Sequence, residues 1–174
     1  MLAGIGGIDK AGCKTTFNND SSWRILPNPE FAELMAAVLE KGLPFRFQAA
    51  GASMSPFIRN GDILTIAPFG GAIRPGDVLA FRHPENRRLT VHRVIGCRSS
   101  GYLFKGDNGC HSDGWATRGD IIGRVARVEH KGRRMRLGLG PERLVIAALS
   151  RAGLLRPLLV PAFFLWNMLR KMHS

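Results

Sequence analysis

Ser53 lies in the run Gly51-Ala52-Ser53-Met54-Ser55-Pro56, just ahead of a turn at Asn60-Gly61-Asp62. A serine between small residues and a proline turn can sit on a sharp bend with its hydroxyl exposed. Gly51 and Ala52 leave room for an extended peptide backbone to approach. Taken alone, the same run also suits an ordinary turn. His92 stands in Leu89-Thr90-Val91-His92-Arg93-Val94-Ile95, where apolar and polar residues alternate. By parity it shares a strand face with Thr90 and Val94. A lone strand histidine is commonly a core or surface residue. A neutral imidazole within reach of a serine, however, is the commonest means of activating a hydroxyl nucleophile near neutral pH. The third segment, Phe104 to Gly114, is a polar loop with two aspartates, Asp107 and Asp113. Either can orient a histidine by accepting its Nδ1–H. Asp107 by itself reads as a turn residue making Asx-type backbone bonds. The chemistry these residue types allow is acyl transfer through a serine.

The elements that must position them fall into three parts. Residues 1–44 open on a glycine-rich polar stretch. Asn28 then caps a helix with Pro29 at its first position; Phe31, Leu34, Met35, Val38 and Leu39 recur at helical spacing, and Gly42 and Pro44 end it. Residues 45–140 carry short apolar runs separated by Gly, Asp, Pro and Asn. Strands are expected at Ile63–Ile66, Val78–Phe81, Leu89–Ile95 and Tyr102–Phe104. A hairpin through Lys131-Gly132 should join Ile121–Val128 to Met135–Leu139. This pattern predicts a mainly β fold: a small antiparallel domain with many tight turns. Residues 141–174 form an apolar tail punctuated by Arg143, Arg151, Arg156, Arg170 and Lys171. It reads equally as core helices packed on the β-domain or as a membrane-associated segment.

In this order the segments resemble the signal peptidase I family, over about residues 48–128. The family's serine element corresponds to Ser53-Met54-Ser55-Pro56 with Gly61-Asp62 downstream, and its next element to Gly76-Asp77-Val78-Leu79-Ala80-Phe81. The base element reads Val91-His92-Arg93-Val94-Ile95, the following one Gly106-Asp107-Asn108, and Ile122-Gly123-Arg124-Val125 looks like the closing strand. Bacterial-type members, and the related self-cleaving repressors, use a lysine base. His92 at that position looks like the endoplasmic-reticulum and archaeal subtype, which pairs serine with histidine and adds an aspartate matching Asp113. Lys105 also fits that subtype, where it is not the base.

The resemblance implies a nucleophile at Ser53, a base at His92 and an orienting acid at Asp113. Gly51, Ala52 and Met54 would be oxyanion and substrate-binding positions, with the Ser53 N–H as one oxyanion donor. Asp107 and Asn108 would be structural neighbours of the site. It implies cleavage of leader or signal peptides after small residues, an extended peptide bound as an added strand, and no metal or organic cofactor. Gly51 stands where the family often has a serine whose hydroxyl helps bind the oxyanion. Family members normally enter the domain from a spanning helix, whereas the helix preceding it here carries Glu30, Glu33, Glu40 and Lys41. Any anchor would therefore be the tail, as in a specialised relative that trims dedicated leaders. A non-catalytic relative that binds peptides or joins a membrane complex is the alternative. Retention of nucleophile, base and acid favours the enzyme.

Composition narrows the remaining classes. The 174 residues carry 25 Lys+Arg against 13 Asp+Glu, a formal net charge of +12, and 45% apolar residues. That length and usage suit one globular catalytic unit rather than a disordered chain. The first residues lack a secretory signal pattern. No run reaches the roughly 18 uninterrupted apolar residues of a spanning helix. The charge favours an anionic partner. A DNA-binding regulator would need a helix-turn-helix, and residues 1–44 offer one helix, so an anionic membrane surface is expected rather than nucleic acid. Three cysteines show no metal-ligand spacing. Cys97 and Cys110 are a possible disulfide, Cys110 with His111 a possible nucleophile pair, and Cys13 is expected unpaired. His83, His130 and His173 read as surface residues. Arg124, Arg127, Lys131, Arg133, Arg134 and Arg136 read as a solvated strand face, with contact to anionic lipid as the second reading.

Overall fold

A computed structural model describes residues 29–155 and 157–158. Helix α1 (Pro29–Glu40) leads into strands β1 (Phe45–Gln48), β2 (Ile63–Ala67), β3 (Val78–Arg82), β4 (Leu89–Arg98), β5 (Gly101–Lys105), β6 (Gly114–Ala116), β7 (Ile121–His130) and β8 (Arg133–Met135), and helix α2 (Arg143–Arg151) follows. The eight strands form one sheet in the order β1-β2-β7-β3-β4-β5-β6, with β8 added beside β7. Every pairing is antiparallel. The mainly β architecture, flanked by an N-terminal and a C-terminal helix, is the one the turn-rich apolar runs predict. The hairpin at Lys131-Gly132 forms as well. Its second strand is the basic stretch Arg133–Met135 rather than Met135–Leu139. Glycine at 138 and 140 and proline at 141 break the pairing soon after.

Helix α1 packs on β1, β4 and β7. Its buried face is Ala32, Met35 and Leu39, while Leu34 is 55% exposed. The spacings of three and four residues from Ala32 continue one stripe, and Leu34 falls off it. The Gly42 N–H then returns to Leu39 O and the Leu43 N–H to Val38 O, closing the helix with Gly42 at φ +77°.

Strand β3 is buried on both faces, as a central strand should be. Val78 and Ala80 join the cluster under α1, which includes Met54, Ile58, Leu64, Ile66 and Val125. Leu79 and Phe81 join the opposite cluster with Val94 and Phe104. Helix α2 docks beside Phe57 through Ile146, with Leu155 completing that contact. Lys105 Nζ donates to Ser150 O at 2.9 Å, placing a cation at the C-terminal end of α2, where the helix dipole is negative. Leu144 and Val145, on the other side of this helix, are 55% and 61% exposed. Among the described residues, no helix is long and apolar enough to cross a membrane. Residues 156 and 159–174 of the apolar tail, with His173, lie outside those residues, as does Cys13.

Candidate active site

Two Gly-Asp turns prepare the ground. Asp62 Oδ2 accepts the Arg59 N–H and Asp77 Oδ2 accepts the Arg74 N–H, so each carboxylate closes the turn three residues before it. Both aspartates are buried, and each has side-chain nitrogen partners. Asp62 Oδ1 accepts from His130 Nδ1 at 2.6 Å. Asp77 meets Arg124 at 2.9 Å and Arg143 at 3.1 Å. His130 is therefore a carboxylate partner rather than a free surface histidine. Arg124 leaves the solvated strand face to tie β7 to the β3 turn. Arg127 pairs with Glu129 at 2.7 Å.

Just before the first of these turns lies the serine loop. Its backbone is drawn tight by Ser55 N–H to Ala52 O, and by Phe57 and Ile58 N–H to Met54 O. Met54 and Ile58 point into the core, and Ser53 is left exposed on the outside of the bend. The loop is gripped from the other side by the segment after β5. The Asn108 N–H donates to Ser53 O at 2.8 Å. The Asn108 side-chain amide donates to Ala52 O at 3.3 Å.

Asp107, beside it, is not an Asx-turn residue. It is buried and takes a bidentate pair of hydrogen bonds from Arg93, Nε to Oδ1 and the guanidinium Nη2 to Oδ2, both at 2.8 Å. Arg93 is 1% exposed. Its remaining nitrogen donates to Gly76 O at 2.9 Å and Gly138 O at 2.8 Å. The planar fork suits this four-way role in a way an ammonium would not. The sequence reading did not single out Arg93. The available signal was its parity: it follows Leu89 and Val91, both packed in the α1-side cluster, on the same face of β4.

The strand neighbour of Arg93 points the other way. His92 Nδ1–H donates to Asp113 Oδ2 at 2.6 Å. Ser53 Oγ–H donates to His92 Nε2 at 2.8 Å. A carboxylate only accepts, so the proton sits on Nδ1, and the Nε2 lone pair faces the serine. Asp113 is itself fixed by its N–H to Phe104 O, at 2.9 Å. Ser53, His92 and Asp113, separated by up to 60 positions in the chain, thus form one connected line in the arrangement a serine acyl-transfer site needs. Lys105 Nζ donates to Ser150 O of α2.

The hydroxyl end of the line opens into a groove of about 390 Å³. Its walls are mostly apolar, with Phe31 of α1, Phe47 of β1 and Leu64, Leu89 and Val91, and among the described residues no Asp, Glu, Lys or Arg lines it. Gly51, Ala52 and Met54 frame the loop. The Gly51 N–H is already donated to Asn60 Oδ1 at 3.0 Å. Among the described residues, the Ser53 N–H has no acceptor.

Gly106 shows how tightly the parts fit. A Cβ there would lie 2.7 Å from Ser53 O and 3.0 Å from His92 Nε2. Backbone and imidazole would both have to move. Gly106→Ala is expected to lower the reaction rate of Ser53 by about 100-fold, the scale of a 1 Å misplacement of reacting groups, and to cost about 1–3 kcal/mol of stability. Thermal melts run beside the rate measurement separate the two effects.

The cysteines resolve differently from expectation. Cys110 is disulfide-bonded while Cys97 is free, so the pair Cys97–Cys110 does not form. A sulfur held in a disulfide is not a thiolate, which removes Cys110 with His111 as a nucleophile pair. Partial burial, with the Asp77 charge, raises the Cys97 thiol above its usual range and weakens it as a nucleophile. No cluster of three or more His, Cys, Asp or Glu suited to a metal ion occurs among the described residues.

No curated protein matches the chain. A family model does: the one described as Peptidase S24-like aligns with residues 22–126, a stretch that runs from before α1 into β7 and holds Ser53, His92, Asp107 and Asp113. Since that stretch is more than half the sequence, the chain belongs to the Peptidase S24-like family.

Proposed function

We propose that the protein is a serine endopeptidase of signal-peptidase type, resembling the subtype that pairs serine with histidine, and that it cleaves leader or signal peptides after small residues. The observation that carries this reading is the Ser53–His92–Asp113 line opening on an uncharged groove. Ser53 Oγ attacks the scissile carbonyl while His92 Nε2 takes its proton. The same imidazole then protonates the leaving amine, and Asp113 steadies its positive form. The Ser53 N–H is free to meet the developing oxyanion, a contact typically worth about 3 kcal/mol. Water releases the acyl-enzyme by the same route in reverse.

The groove also suits an extended chain. Strand β1 is the end strand of the sheet. Strand β4 pairs with β5 only from Arg93 onward, so among the described residues Leu89 to His92 have one unpaired edge. A peptide laid between these walls finds backbone donors and acceptors for an added strand. The test is cleavage of a panel of leader-bearing peptides with the sites mapped by mass. Single cuts after small residues, absent in Ser53→Ala, support the reading. Binding of extended peptides without any cut would make the protein a non-catalytic relative.

We also place the protein at an anionic membrane surface through its C-terminal part. Leu144, Val145, Leu154 and Leu158 are each at least 50% exposed, with the exposed Arg151 among them in the chain, while Arg143 is held by Asp77. Apolar side chains flanked by arginines suit the headgroup boundary of acidic lipid. Ile146 and Ala147 are core residues, so trimming the tail back to residue 144 would also damage the fold. Leu144→Ser/Val145→Ser is the cleaner variant. In flotation with phosphatidylserine vesicles the wild-type chain should float, less so at high salt, and the double variant should float several-fold less. Equal recovery with neutral vesicles would remove the anionic preference.

A further inference from the structure

The groove beside Ser53 is larger than a small residue needs. Its volume is about 390 Å³, whereas an apolar cavity of about 150 Å³ already takes up a benzene ring. Its floor is the open side of the core cluster under α1. Phe31, Phe47 and Val91 are half-buried there and pack on the buried Ile58, Leu64 and Leu89. Phe31 comes from the first turn of α1. It meets both aromatic rings of β1 edge to face, Phe45 at 5.5 Å and Phe47 at 5.7 Å. Such pairs fix ring positions, so the aromatic wall is built before a substrate arrives.

The reach of the groove follows from β4. His92 marks the reacting end. Leu89 lies three residues back along the same strand, about 10 Å away at roughly 3.3 Å per residue. An extended substrate along that edge turns alternate side chains to the same side. Resting on the reading of Ser53 as a peptidase nucleophile, we propose that the substrates carry a bulky apolar residue, the size of leucine or phenylalanine, two places before the small residue at the cut, and that Phe31 selects it. The small residue sits beside Gly51, Ala52 and Ser53, and the bulky one over Phe31 and Phe47. The chemistry is one-sided. Among the described residues no Asp, Glu, Lys or Arg lines the groove, so a charged side chain at that position would lose its water without gaining a partner. Gln48 is the long polar side chain on the lining, and its amide already donates to Gly61 O at 3.1 Å. An alanine at that position would leave the aromatic wall in contact with water.

The experiment uses the full chain and leader peptides identical except at this position, which is alanine, leucine, phenylalanine or aspartate, with alanine kept at the cut. The leucine and phenylalanine peptides should be cleaved with kcat/KM at least about 10-fold above the alanine peptide, and the aspartate peptide below it. In Phe31→Ala the leucine-to-alanine ratio should fall several-fold. Phe31→Leu keeps an apolar residue in α1 and guards against a variant that misfolds; there the ratio should fall by less. A ratio taken on one protein cancels the folded fraction, so a merely structural role for Phe31 would leave it unmoved. Equal rates on the leucine and alanine peptides overturn the proposal, and a ratio unchanged in folded Phe31→Ala overturns the role of Phe31. The same peptides are titrated onto Ser53→Ala by calorimetry. If wild type cuts none of them, the peptidase reading fails, and the binding series still decides the groove. Tighter binding of the leucine peptide supports the proposal, and equal binding or none overturns it.

Discussion

Ser53→Ala and His92→Ala are each expected to lower peptide cleavage by at least about 10⁴-fold, and the double variant by little more than either alone. The non-additivity is the informative part. Ser53 Oγ and His92 Nε2, 2.8 Å apart, act as one unit: the hydroxyl is a weak nucleophile without its base, and the base has nothing to deprotonate without the hydroxyl. Asp113→Asn should approach the same loss by another route. Its amide NH₂ can donate where the carboxylate only accepted, so the imidazole is free to take the tautomer with its proton on Nε2, facing the serine. Ser53→Ala should keep the wild-type melting temperature to within a few degrees, because its side chain is exposed, whereas His92 and Asp113 are 12% and 16% exposed and their variants are compared at equal folded fraction. Steady-state rates on a cleaved leader peptide, with thermal melts in parallel, check both halves. If Ser53→Ala retained full activity, the mechanism would be wrong.

The second large effect is on folding. Arg93→Ala or Asp107→Ala should each destabilise the protein by about 3–5 kcal/mol, since removing one partner strands the other charge in the interior. Against a total stability on the order of 5–15 kcal/mol, this is enough to unfold a marginal domain. Arg93→Ala is expected to be the worse of the two, because it also leaves the carbonyls of Gly76 and Gly138 without their donor. An apolar pair, Arg93→Met with Asp107→Leu, should recover part of the loss, since the desolvation cost disappears with both charges. Urea denaturation of the four proteins measures this. Equal stability of wild type and Arg93→Ala would show that the bridge contributes nothing to the fold.

What the sequence made legible followed from local physics. Turn residues at close intervals and short alternating runs announced the antiparallel sheet, and Asn28-Pro29 with the periodic stripe announced α1. Ser53, His92 and Asp113 stood out together only through the resemblance to the signal peptidase I family, since each segment alone also suits an ordinary turn or strand. What stayed hidden depended on pairing across the sheet. Arg93 meets Asp107 only because β4 folds back on β5, and no spacing rule connects a strand arginine to a loop aspartate. His83, which reads as a surface residue in the sequence, is 14% exposed and lies 3.9 Å from Asp113. His130 reaches Asp62 across the β2–β7 pairing. Charged residues on strands look solvated in a sequence, yet here two buried aspartates, at 62 and 77, draw them inward.

One feature of β4 reaches beyond the site. His92 and Arg93 are adjacent, and the strand's pleat sends one to the serine and the other to Asp107. Sliding β4 by a single residue against β3 would exchange them, presenting a permanently protonated guanidinium to Ser53 and pressing an imidazole into the cavity shaped for the bridge. Such a slipped sheet would keep its backbone hydrogen bonds and lose both its foundation and its chemistry. The pairing Leu79↔His92 and Val78↔Arg93 therefore works as a frame check. The irregularity between Val94 and Gly96 falls just past it, on the β5 side, where a change of alignment does no harm. Misfolded chains of this protein would be expected to fail twice, in stability and in reactivity together, so that any chain stable enough to persist is also one with its imidazole on the correct side.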